Sequence, residues 1–228
     1  MALQNDCETA VLRGAADTPA CDATASASAA SGTASRPRAG NGLAQAISHL
    51  ASPPVLTVVA ALAAARADGQ PVAFMAAAAF CVLGVVVPTA ALVAQWRRGE
   101  VSDIEITRRD QRLWPLLLTT TSVGAAAIVL QLAGAPPAVA GLVSILGVQS
   151  LVLLAVTTSW KISVHCATAA AVGCLLSLLG GGPAPAIVLI GAMVWSRLQL
   201  RRHTPLQCLF GTSLGAVLVL SLWPLLGG

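Results

Sequence analysis

The chain has 228 residues, of which 56% are hydrophobic and 10% charged, with a formal net charge of +4. Soluble domains carry roughly 25% charged residues, so this composition excludes an ordinary water-soluble enzyme. It fits one integral membrane domain, and the small basic excess gives no ground for a nucleic-acid partner.

Residues 1–45 are rich in Ala, Ser, Thr and Gly, with scattered charges. The segment lacks the apolar core of a cleavable signal peptide. It also cannot bury enough surface to offset its ordering entropy, so a disordered tail is expected there. Residues 46–228 then form the membrane domain. A hydrocarbon core of about 30 Å takes roughly 20 helical residues. On that measure the apolar runs predict spans over 46–66, 73–96, 114–133, 138–158, 165–180, 184–199 and 206–226. Pro53-Pro54 predicts a short first span. Gly180-Gly181-Gly182-Pro183 predicts a tight turn between two short ones, and Gly134-Ala135-Pro136-Pro137 another turn. Lipid satisfies no backbone hydrogen bonds, so the expected fold is all-α, a bundle of six to seven transmembrane helices. Ala76–Ala79 and Ala169–Ala171 read as surfaces for close helix packing.

Past the tail, the charges fall almost wholly into islands at 97–112, at Lys161 and at 197–202. Pairs of spans separate the islands, so all of them are expected on one membrane face. That face holds Arg97, Arg98, Arg108, Arg109, Arg112, Lys161, Arg197, Arg201 and Arg202, whereas the other offers Arg66 beside Asp68. The positive-inside rule then predicts a cytoplasmic island face in a multi-pass cell-membrane protein. The six cysteines show no CxxC and no metal-ligand spacing, which predicts neither a disulfide nor a zinc site. Cys166, beside His165, reads as a packing residue, and His49 as an interfacial polar group.

Two islands carry residues suited to phosphate chemistry. In Trp160-Lys-Ile-Ser-Val-His165 a Lys, a Ser and a His cluster at a helix start, where N–H groups and the dipole favour anions. Lys161 and Ser163 would bind phosphate oxygens, and His165 would donate a proton to a departing oxygen. In Ser196-Arg197-x5-His203, Arg197 ends one helix and His203 precedes the next. Arg offers a planar fork for phosphate oxygens, and His can act as nucleophile or base.

Together these segments resemble the type 2 phosphatidic acid phosphatase superfamily, the membrane relatives of vanadium haloperoxidases. That family pairs Lys-x6-Arg-Pro, Pro-Ser-Gly-His and Ser-Arg-x5-His-x3-Asp motifs. Here the third reads Ser196-Arg197-Leu-Gln-Leu-Arg-Arg-His203-Thr-Pro-Leu-Gln207, the second Ile162-Ser163-Val164-His165, and the first Glu105-x6-Arg112-Leu113. The resemblance covers roughly residues 46–226 and implies that family's helical core. It implies His203 as the nucleophile that becomes a phosphohistidine and His165 as the acid for the leaving oxygen. Arg112, Ser163 and Arg197 would hold the phosphate, and no metal is required.

The departures bear on the chemistry. Glu105 stands where the family has Lys, so Lys161 is expected to supply that charge. Val164 replaces a Gly. Gln207 replaces the Asp that orients the nucleophile; its amide oxygen can still accept a hydrogen bond from the ring. No Asp or Glu follows Asp110, so every carboxylate open to the site lies in the first island. That island reads as a self-paired solvated loop, as Asp103 and Glu105 orienting His203 or the arginines, or as carboxylates holding Mg²⁺ on a diphosphate. The expected function is hydrolysis of a lipid phosphomonoester or prenyl diphosphate. Its alternatives are a Mg²⁺-dependent prenyl-diphosphate transferase or terpene cyclase on the same fold, and a non-catalytic lipid-phosphate binder. The sequence leaves the oligomeric state open.

Overall fold

The computed structural model describes residues 40–101, 111 and 113–227, which are helical with no strand among them. The helices are α1 (Gly40–Leu50), α2 (Pro53–Asp68), α3 (Pro71–Phe80), α4 (Val87–Arg97), α5 (Leu113–Leu132), α6 (Pro137–Ser159), α7 (Val164–Leu176), α8 (Ala184–Gln199) and α9 (Pro205–Leu226). A π-helical turn, Cys81–Val86, joins α3 to α4, and another, Ser177–Gly181, extends α7. Pro occupies the first turn of α2, α3, α6 and α9, where the missing N–H would have no intrahelical partner anyway.

Five helical stretches are long and apolar enough to cross a membrane: Pro71–Arg97, Leu113–Leu132, Pro137–Ser159, Val164–Gly181 and Pro205–Leu226. The α1–α2 pair passes the same test as one unit bent by 45°. The first span expected over 46–66 divides at Pro53-Pro54, as those prolines predict: Pro53 starts a new helix after Ala51-Ser52. Residues 40–45, assigned to the tail by composition, belong to α1. At 16 residues, α8 is shorter than a full span.

The outer surface is apolar: Val72, Met75, Ile128, Leu132, Ile187 and Val217 are all exposed. Inside, small residues let backbones meet. Ala169, Ala170 and Ala171 of α7 are buried, as are Ala76 and Ala77 of α3. A Cβ on Gly215 of α9 would lie 2.0 Å from the Ala167 carbonyl oxygen, and one on Gly211 2.5 Å from that of Ser163. These glycines, four apart, seat α9 directly on the start of α7, as small-xxx-small pairs do in membranes.

The turn between α3 and α4 follows from Pro88, which cannot donate to the Gly84 carbonyl. The Val87 N–H instead reaches back to Val82 O, a π-type bond. Phe80, Gly84, Val85 and Pro88 around this turn form part of a cavity wall.

Candidate functional site

The islands at 160–165 and 197–207 meet through backbone contacts. Lys161 Nζ donates to the Arg202 carbonyl at 3.0 Å, and Ser163 N–H to the Gln207 carbonyl at 3.3 Å. Sequence positions some forty residues apart thus share one end of the bundle.

At that end, α9 opens with a reciprocal capping box. The Thr204 hydroxyl accepts from Gln207 N–H at 3.4 Å, and Gln207 Oε1 accepts from Thr204 N–H at 3.2 Å. Each satisfies an N–H that the helix start leaves without a carbonyl. The same Oε1 lies 3.1 Å from His203 Nδ1. A backbone N–H can only donate, so Thr204 fixes which Gln207 atom is oxygen. Oxygen can only accept, so His203 must carry its proton on Nδ1. In the neutral ring the lone pair is then on Nε2.

Arg197 is 1% exposed and donates through Nη2 to the Ser48 hydroxyl of α1. Its neighbour Ser196 is also buried and donates to the Ala44 carbonyl of α1 at 2.7 Å. Two successive residues of α8 are therefore anchored on α1. Ser48 and His49 sit at the end of α1, just before the chain turns into α2. A guanidinium withheld from water favours an anion far more than one on a wet surface.

Ser163 is fully buried and caps α7, its hydroxyl accepting from Cys166 N–H at 3.3 Å. This cap sets the direction in which α7 carries His165. Cys166 and Cys208 are buried free thiols, and Cys166 packs within the main core.

These elements enclose a cavity of about 500 Å³. His165, Arg197, Arg202 and His203 line it, together with Ser48 and His49. All three histidines of the chain thus face one space. Its remaining walls are mainly apolar and come from the α3–α4 turn, α5 and α6, including Phe80, Val85, Leu92, Leu116, Val123, Leu146 and Leu153. A polar mouth opening onto an apolar interior suits an amphiphile with an anionic head.

Of the residues singled out from sequence, His165, Arg197 and His203 line this cavity. Lys161, Ser163, Ser196 and Gln207 do not; they hold the lining residues in place through the bonds above. Arg112, Asp103 and Glu105 lie outside the described residues. The described residues contain no cluster of three His, Cys, Asp or Glu side chains. Sequence reasoning missed Ser48 and Arg202 and left His49 as an interfacial group. The signal for Ser48-His49 was a polar pair just ahead of Pro53-Pro54, where a helix must break. Comparison of the chain with family models, curated proteins and solved structures finds no match.

Proposed function

We propose that the chain is an integral membrane lipid phosphatase that hydrolyses a lipid phosphomonoester or prenyl diphosphate through a phosphohistidine. The observation that carries this reading is that His165, His203 and the buried Arg197 face one cavity whose interior is apolar. The phosphate sits at the mouth against Arg197 and Arg202, and the lipid chain extends between the helices.

His203 Nε2 attacks phosphorus, forming a P–N bond as the P–O bond to the lipid breaks. His165 gives its proton to the departing oxygen. Water then attacks the phosphohistidine with His165 as base, which releases phosphate and returns Nε2. Gln207 keeps the attacking tautomer, and Arg197, with Arg112 from the first island, stabilises the charge on the phosphoryl oxygens. Lys161 holds the Arg202 backbone, and Ser163 directs α7. Asp103 and Glu105 stand as supporting carboxylates. With the island face in the cytoplasm of a cell membrane, prenyl diphosphates are the preferred substrates, ahead of phosphatidic acid.

The test is phosphate release in detergent from prenyl diphosphates and phosphatidic acid. Wild-type protein should release phosphate in the presence of EDTA, and His203→Ala should abolish release while retaining a wild-type melting temperature. Unchanged turnover in His203→Ala would refute the nucleophile. Strict Mg²⁺ dependence would instead point to ionisation of a diphosphate, with the first-island carboxylates as ligands.

A further inference from the structure

The cavity wall carries one polar group with no evident task in phosphate transfer. Gln149 of α6 is 3% exposed and lines the cavity, and its Oε1 has no hydrogen-bond partner among the described residues. The hydroxyls around it are satisfied by their own helices. Thr119 donates to the Pro115 carbonyl at 2.8 Å, and Ser150 to the Gly147 carbonyl at 2.9 Å. The Gln149 Oε1, on a cavity wall shared with Leu146, Leu153 and Val123, has no such bond. An acceptor in hydrocarbon without a donor is costly; such amides usually bond to a neighbouring helix, and this one, lacking that bond, is left for a ligand.

Its depth is set by the helices. Gln149 lies ten residues before the end of α6 at Ser159, and Arg197 two residues before the end of α8 at Gln199. Both helices end at the island face, so at 1.5 Å per residue Gln149 sits about 12 Å below Arg197. A saturated or purely isoprenoid chain offers nothing to Oε1 at that level.

We infer that Gln149 selects a lipid whose chain carries a hydrogen-bond donor, a hydroxyl or an amide N–H, about 12 Å below its phosphate. The inference rests on the phosphate mouth of the proposed function but not on its hydrolysis step. Such a site discriminates strongly, because the lipid lacking the donor leaves the buried acceptor with none.

The experiment measures binding apart from turnover. Hexadecyl phosphate and analogues bearing one hydroxyl near the head, in mid-chain or near the tail end are titrated into the full-length protein in detergent. Affinity is read from the ligand-induced rise in melting temperature, and phosphate release is followed in the same samples. The wild type should bind the mid-chain analogue about ten-fold tighter than hexadecyl phosphate. Gln149→Leu should lose that gain while binding hexadecyl phosphate at least as well. Comparing ratios between the two proteins cancels the differing partition of the lipids into detergent. Gln149→Met gives the same comparison should the Leu variant not fold. Equal binding of all four lipids by the wild type, a preference for another hydroxyl position, or a preference surviving both substitutions would overturn the inference. Selective binding without phosphate release would leave it standing and refute the hydrolase. Release without selectivity would do the opposite.

Discussion

The contact between α7 and α9 offers the most direct perturbation of the site, because it can be opened by a single methyl group. Gly211 faces the Ser163 carbonyl, and ordinary contact begins at 3.4 Å, whereas a Cβ there would sit at 2.5 Å. Gly211→Ala must therefore part the backbones by about 0.9 Å, and Gly215→Ala, at 2.0 Å from Ala167 O, by about 1.4 Å. The obstructing atoms are backbone, so no side chain can rotate away. Overpacking of this kind costs about 1–3 kcal/mol. The separation also falls between the two halves of the site. His165 follows Ser163 on α7, and Gln207, which orients His203, precedes Gly211 on α9. A misplacement of about 1 Å between reacting groups can cost roughly 100-fold in rate. Gly211→Ala should thus lower phosphate release by about two orders of magnitude, with a fall in melting temperature of a few degrees. Gly215→Ala should destabilise more. Gly124→Ala and Gly147→Ala are the controls, since a Cβ there meets nothing within 4 Å; each should be neutral or stabilising by up to about 1 kcal/mol. Thermal unfolding in detergent and initial rates on one lipid phosphate supply both readouts. Wild-type melting and wild-type rates in Gly211→Ala would refute the close approach.

Two further outcomes follow from the bonds at the mouth. Gln207→Glu preserves the capping box and places a carboxylate on His203, which favours the protonated ring. If His203 is the nucleophile proposed above, it then needs a higher pH to lose its second proton, so the acidic limb of the kcat/KM profile should move up by about one pH unit or more. An unmoved limb would dissociate His203 from the rate. Ser48→Ala and Ser196→Ala should separate binding from stability. The first removes a partner of Arg197 and should raise KM about ten-fold. The second removes the α8–α1 hydrogen bond to the Ala44 carbonyl, which costs about 0.5–1.5 kcal/mol of stability with little change in KM.

The helices were legible because membrane spans are written as apolar length, and five stretches pass that test on composition alone. The meeting of the Lys161 island with the one at 197–202 was legible too, since a hairpin returns the chain to the side it left. What could not be read was α1. Its role depends on Ala44 and Ser48 meeting Ser196 and Arg197, roughly 150 residues later, and no local pattern encodes a contact at that distance. The contact of Lys161 was equally hidden: charge at a helix start suggested a phosphate, and only the fold shows its ammonium donating to the Arg202 carbonyl. Gln149 was visible as an isolated amide in an apolar run, but only the cavity gives it a direction.

The Gln207 carboxamide takes part in two events at once. It closes the first turn of α9 and fixes the proton on His203 with the same oxygen. Helix ends fray well before whole bundles come apart, and opening of this one turn would scramble the imidazole tautomer with every span still in place. Heat should therefore silence the protein before it melts. A scan of activity against temperature should break below the transition recorded by circular dichroism, and reversibly so.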